Sequence, residues 1–216
     1  MTPFDLTTML RQQTRTLHRA VQALPVPRRV MSPRVTRSDY VHYIAAVYRV
    51  YALMESALLD HVPPQLLTAL GVRPKLPALA ADLAELELSS REPLGRAATA
   101  LRLPPPDDLA GSVGALYVLE RAAFGGRLVA RHLRRHLPDE DGAVPLRFLE
   151  FHGREAAGAW RRFAKALENL KNRPDFQVAR LVEGAQIACE SVLGILRLED
   201  QGMRQGILPA VGWTRA

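Results

Sequence analysis

Residues 111–133 read GSVGALYVLERAAFGGRLVARHL. The apolar positions recur at helical spacing, and the segment follows a triple proline (Pro104, Pro105, Pro106) and two acidic residues, Asp107 and Asp108, whose charges suit a helix N-terminus. The pattern predicts one long helix from there to Leu137, where Pro138 stops it. This helix carries Gly111, Gly114, Gly125 and Gly126. A glycine inside a helix costs about 0.8–1 kcal/mol relative to alanine, so four sacrifice roughly 3–4 kcal/mol. Such a loss needs an offset, either a bend or a backbone brought close to another surface. For Gly125 and Gly126 two readings stand side by side: a bare strip of helix presented to a flat ligand, or tight helix–helix packing.

Outward from this segment the same period continues. Thr2, Pro3 and Asp5 read as the cap and first turn of an opening helix that carries Leu6, Leu10, Leu17, His18, Val21 and Leu24 on one stripe and ends at Pro25 and Pro27. A second helix starts near Thr36, with Asp39 three residues on, and runs to Pro63-Pro64. Shorter helices are expected at about 76–88 and 91–101, a sixth at 144–170 and a seventh at 176–198. No strand pattern, internal repeat or low-complexity linker interrupts them. The expected fold is all-α, one helical domain over 1–205 with a tail at 206–216.

At 216 residues, 48% hydrophobic and 24% charged, the chain can bury a full core and does not read as disordered. The longest uncharged apolar run, Leu109 to Leu119, is far short of the ~20 residues a membrane span requires. No export signal is visible, and one cysteine, Cys189, fits a reducing compartment, so a cytoplasmic, non-membrane protein is expected. The net charge of +7 comes mostly from scattered arginines. No basic block interleaved with aromatics and no nucleic-acid motif accompanies it, so nucleic acid is not the expected partner.

His18 sits on the apolar stripe of the first helix, with Arg11 and Arg15 on nearby turns. A histidine in that position is ordinarily a core or edge residue with a satisfied hydrogen bond, and the arginines are ordinarily solvated. The alternative is a ligand with an apolar body and an anionic edge, such as haem, whose iron suits the imidazole and whose propionates suit the arginines. His132 and His136 have a metal-binding spacing but stand among Arg127, Arg131, Arg134 and Arg135, a face hostile to a cation. No Glu-x-x-His pair supports a di-iron bundle, and His152 with Glu150 and Glu155 reads as an ordinary helix surface. Cys189 has no convincing basic neighbour, and neither a nucleophile elbow nor a phosphate-binding loop is present.

Four segments together resemble the haem oxygenase family, particularly its bacterial biliverdin-forming branch. LRQQTRTLHRAVQAL at 10–24 is similar to the proximal helix, DYVHYIAAVYRVYALMESAL at 39–58 to the tyrosine-rich helix after it, residues 111–133 to the distal helix, and LRFLEFHGREAAGAWRRFAKAL at 146–167 to the segment beyond. The resemblance implies that His18 ligates iron and that haem is both substrate and cofactor. It implies a distal glycine kink at Gly125 and Gly126, with Tyr117, Arg11 and Arg15, and more distantly Arg161 and Lys165, near the propionates. It departs from the family at Arg121, which stands where the first distal glycine is expected, with Ala122 after it. An arginine there could block the pocket, swing outward or act as an unusual distal donor.

The implied reaction is oxidative cleavage of haem to biliverdin, carbon monoxide and ferrous iron. Electrons come from an external donor such as a ferredoxin or flavoprotein, and a phytochrome could accept the bilin. The rivals are a non-catalytic haem-binding or sensing protein on this scaffold, favoured by Arg121, and a haem-free interaction scaffold.

Overall fold

The computed structural model describes residues 5–88, 94–137 and 143–204. Their regular structure is helical: α1 (Leu6–Gln13), α2 (Arg15–Gln22), α3 (Pro25–Val30), α4 (Arg37–Asp60), α5 (Pro64–Leu70), α6 (Leu76–Glu85), α7 (Gly95–Ala98), α8 (Leu109–His136), α9 (Ala156–Asn169) and α10 (Val178–Arg204). The long helices α8 and α10 form the central pair. Helix α4 packs against α3, α6, α8 and α10, helices α2 and α7 rest on α10, and α9 packs on α1 and α5.

The expected caps on the two long early helices are present. Asp108 accepts from Gly111 N at 2.9 Å at the start of α8, and Thr36 with Asp39 makes a reciprocal capping box at the start of α4. Helix α8 runs unbroken through all four of its glycines.

Two of those glycines, Gly114 and Gly126, are explained by backbone proximity, as is Gly184 of α10. A Cβ on Gly114 would lie 2.0 Å from the Leu181 carbonyl oxygen of α10, and one on Gly184 of α10 would lie 2.0 Å from the Gly111 carbonyl oxygen. A Cβ on Gly126 would lie 2.6 Å from the Leu149 carbonyl oxygen. Gly125 differs from them, because a Cβ there would meet nothing within 4 Å.

Several boundaries differ from those read in the sequence. The opening helix is two: buried Thr14 (φ −97°, ψ 2°) interrupts it, and its Oγ1 donates to the Leu10 carbonyl at 2.7 Å. Asp5 caps α1, accepting from Thr8 N at 2.6 Å; Thr2 and Pro3, read as the cap and first turn, lie outside the described residues. Pro25 and Pro64 each stand in the first turn of a new short helix, where a missing N–H is harmless. Of the helix expected at 91–101 only α7 is observed; residues 89–93 lie outside the described set, as does the tail at 206–216.

The sixth helix starts at Ala156 and not near Val144. Its expected first turns are held in an irregular path by fully buried Asp82, which accepts from Arg147 N at 3.0 Å and Phe148 N at 2.9 Å, and by Tyr40, whose hydroxyl donates to the Pro145 carbonyl. Gly153, at φ +48°, turns the chain into a 3-10 turn over Gly153–Glu155 ahead of α9.

Gly114→Ala is expected to force α8 and α10 apart and to lose roughly 1–3 kcal/mol of stability. Gly125→Ala, with open space at the Cβ, is expected to lose nothing and to gain up to about 1 kcal/mol from helix propensity. Urea unfolding of the two variants beside the parent checks both; equal midpoints for the two would contradict the packing assignment.

Candidate functional site

Helices α2 and α8 both lie on α10 yet scarcely touch each other. Helix α2 has no fully buried side chain: Leu17, His18, Ala20 and Val21 on its apolar side are only half-buried. Across from them α8 presents Arg121, Ala122, Gly125 and Val129, none of them buried. Among the described residues, the facing sides of an amphipathic helix and of a glycine-bearing helix are thus left uncovered, with α10 as the floor beneath both. This is the arrangement expected around a flat apolar ligand.

The polar groups converge at this gap. Burial, and then the charge of Arg121, hold the His18 pKa below the ordinary imidazole value. At neutral pH the ring is therefore an uncharged base with a lone pair available, the form that binds a metal. Arg121 Nη1 donates to the Tyr117 hydroxyl at 3.3 Å, and that hydroxyl donates to the Thr7 carbonyl of α1, also at 3.3 Å. Arg121 is half-buried and lies along the inner side of α8; of the orientations open to it in the sequence, the outward swing is not the one adopted. Burial raises the Tyr117 pKa, while the charges of Arg121 and Arg11 oppose the rise. The charge of Arg121 thus reaches both His18 and Tyr117, and that of Arg11 reaches Tyr117.

The remaining candidates are dispersed. Arg15 is exposed on α2. Arg161 and Lys165 are exposed on α9, at i, i+4 and i+7 spacing with Glu168, whose Oε2 accepts from Leu6 N at 2.9 Å at the start of α1. Gly126, expected beside Gly125 on the ligand side, packs instead on the Leu149 backbone. Cys189 does have a basic neighbour, Arg121, contrary to the sequence reading, but burial dominates and pushes the thiol up to about 11. His132 Nε2 lies 2.9 Å from the Ser32 carbonyl and donates to it, and no group of three or more metal-ligating side chains occurs among the described residues.

Behind α8 lies a charged cluster that the sequence reading missed. Lys75 and Glu120 form an ion pair with side chains only 1% and 2% exposed. Glu55 accepts from Lys75 N and Leu76 N, each at 2.8 Å. Burial raises the Glu120 pKa against the pull of Lys75. His152, read as helix surface, is buried: its ring stacks on Phe124 at 3.9 Å between centroids, and its Nε2 lies 4.0 Å from Glu120 Oε2 without a hydrogen-bond partner. The available signal was Glu55 and Glu120 standing at apolar positions of their helices, beside Met54 and Leu119.

Known proteins converge on one family. The family model described as Heme oxygenase matches residues 4–197. The chain belongs to the haem oxygenase family. A heme oxygenase of Xanthomonas campestris pv. campestris (strain 8004) is 33% identical over 134 residues, 62% of this chain and 74% of that protein. The NO- and CO-bound heme oxygenase of Neisseria meningitidis aligns at a TM-score of 0.67 and 20% identity, over 91% of this chain and 92% of its own. Heme oxygenase-1 of the cyanobacterium Synechocystis sp. PCC6803, solved in complex with heme, aligns at 0.64 and 17% identity, over 94% and 96%. These structures share the all-α fold found here. No helix among the described residues is long and apolar enough to cross a membrane.

Burial, with the cations Lys75 and Arg73, holds the His152 pKa down at about 4, below the ordinary imidazole value of about 6.5. The unfolded chain therefore takes up this proton first, so the contribution is intact above about pH 6.5 and is lost as the pH falls toward 4. Unfolding free energies of the parent and His152→Gln across this window check the sign. The parent is expected to lose stability more steeply; parallel profiles would refute the assignment.

Proposed function

We propose that this haem oxygenase binds haem in the gap between α2 and α8 and cleaves it to biliverdin, carbon monoxide and ferrous iron. The observation that carries the reading is a neutral, half-buried His18 set across an uncovered gap from the open backbone at Gly125, with cationic side chains at one end. The residues present fit the ligand: a free imidazole for iron, half-buried apolar side chains for the ring faces, and arginines for an anionic edge. His18 would hold the iron. Arg11, Arg15 and Tyr117 would meet the propionates, with Arg161 and Lys165 as further cations on that side. Gly125 lets the α8 backbone approach the ring, Gly126 keeps α8 seated on Leu149 and so acts through packing, and Arg121 is the polar group nearest the distal side.

Bound haem supplies the redox-active iron and the macrocycle that is cleaved, drawing on O2 and on electrons from an external donor such as a ferredoxin or flavoprotein. The chain's own part is positional. His18 fixes the ring over α10, the walls exclude bulk water from its faces, and the Arg121 guanidinium offers a fixed positive charge where negative charge develops. The domain extends over 1–205 in this reading, the protein works in the cytoplasm, and its product is passed to a bilin acceptor such as a phytochrome or serves iron release.

A second reading, haem binding or sensing without turnover, is favoured by Arg121, which occupies the position of a family glycine and reaches along the inner side of α8. The test is a turnover spectrum with hemin, ascorbate, air and catalase. The Soret band is expected to form and then give way to the broad red absorbance of biliverdin, and His18→Ala is expected to abolish this conversion. A Soret band that persists in the parent but decays in Arg121→Gly would establish the second reading. If no Soret complex forms, the haem assignment is wrong and a haem-free scaffold is left.

A further inference from the structure

Arg121 donates to the Tyr117 hydroxyl, an uncharged partner, and no carboxylate pairs with it among the described residues. Yet the residue next to it in the chain is a carboxylate. Glu120 is directed behind α8, where it is paired with Lys75 and both side chains are almost completely buried.

Lys75 stands just ahead of α6, and its place is fixed independently of α8. Glu55 of α4 accepts from Lys75 N and Leu76 N, each at 2.8 Å. The Lys75 Nζ lies 5.5 Å from the centroid of the Phe151 ring, which the Arg73 guanidinium also covers at 4.7 Å. The charge of Arg73 adds to that of Lys75 at Glu120. Glu55 opposes them, but both of its oxygens are taken by backbone N–H groups. His152, kept neutral at ordinary pH, contributes no charge.

Lys75 therefore acts on Arg121 in two ways. As a buried cation it disfavours a guanidinium folded back behind α8. By pairing with Glu120 it occupies the carboxylate that adjoins Arg121. A buried carboxylate stripped of its cation is strongly destabilised, and the long, always charged Arg121 is the partner next to it in the chain. Adjacent side chains diverge by about 100° around a helix, so Arg121 reaches Glu120 only by leaving Tyr117. We propose that Lys75 is a positioning residue of the α2–α8 site: by claiming Glu120 behind α8, it leaves the Arg121 guanidinium uncompensated and directed to Tyr117 at the end of the gap. What that charge does for a bound haem rests on the proposed function; the positioning does not.

The test uses isotopically labelled, haem-free, full-length protein and reads the nuclear Overhauser contact between the Arg121 side chain and the Tyr117 ring. The parent is expected to show it and Lys75→Met to lose it. Lys75→Gln, which keeps a hydrogen-bond donor for Glu120 but removes the charge, is the milder variant and is expected to weaken it. Lys75→Met/Glu120→Gln is expected to regain the contact, because no carboxylate is left to draw Arg121 away. Arg49→Met breaks another buried ion pair, Arg49 with Glu199 at 2.8 Å, and is expected to keep the contact. After hemin loading, Lys75→Met is expected to shift the Soret maximum and the conversion rate in the same direction as Arg121→Ala, and the double variant to return both to the parent values.

The inference falls if the contact survives in both lysine variants, if the folded double variant does not regain it, or if Arg49→Met loses it equally. Loss and rescue of the contact in a protein that forms no Soret complex would remove the proposed function and leave the role of Lys75 standing. Haem conversion in the parent, with the contact unmoved by the lysine substitutions, would do the reverse.

Discussion

With no side chain between them, Gly114 of α8 lies against the Leu181 carbonyl of α10, and Gly184 of α10 lies against the Gly111 backbone. Backbone in contact with backbone leaves the pair no room to slide or separate, which makes α10 a fixed reference for whatever else rests on it. Helix α2 is placed by α10, with α8 hardly involved. The width of the α2–α8 gap is thus set at second hand, by two helices each fitted to a third. Gly126 against Leu149 fixes the far side of α8 in the same way. The helix propensity sacrificed at these glycines is offset by close packing, and Gly125 stands apart as the one whose missing side chain leaves space.

The rotation of α8 about its own axis is fixed by polar contacts. Tyr51 of α4 donates to the Leu119 carbonyl at 2.7 Å, and the next residue, Glu120, is paired with Lys75, whose backbone N–H is held by Glu55 of α4. A buried ion pair adds little stability over well-packed apolar side chains of similar size, but it tolerates only one register. Glu120 directed into this cluster turns Arg121, about 100° further round the helix, out of it. The stacked pair of Phe124 and His152 closes the same side one turn on. Charges behind α8 therefore determine which residues look into the gap in front of it.

Much of this was legible in the sequence. The long helices announce themselves through period, caps and prolines, and the order of the four family-like segments led to the all-α fold and to the group of His18, Tyr117 and Arg121. What failed had non-local causes. The irregular path before α9 depends on Asp82, more than sixty residues earlier, taking backbone N–H groups that the local sequence would have spent on a helix. The break at Thr14 lies inside a segment whose periodicity is unbroken on paper. His152 looked like surface because its cover, Phe124, comes from a helix that meets it only in the folded chain. The glycines could be flagged by their cost, but only the partner backbone separates Gly126, which packs, from Gly125, which does not.

Arg121 brings these levels together. Its charge bears on His18 and disfavours a second positive charge there, so it helps keep the imidazole unprotonated. Its hydrogen bond to Tyr117, itself bonded to Thr7, draws the guanidinium toward the end of the gap that α1 closes, where the charge of Arg11 is also felt. Positive potential is then concentrated at one end of a gap whose other walls are mostly apolar. A ligand suited to that field has an apolar body, an anionic edge and an atom that accepts a nitrogen lone pair. One turn beyond Arg121, Gly125 leaves the α8 backbone open, so the charged end of the gap and its bare stretch of helix lie on one side of α8.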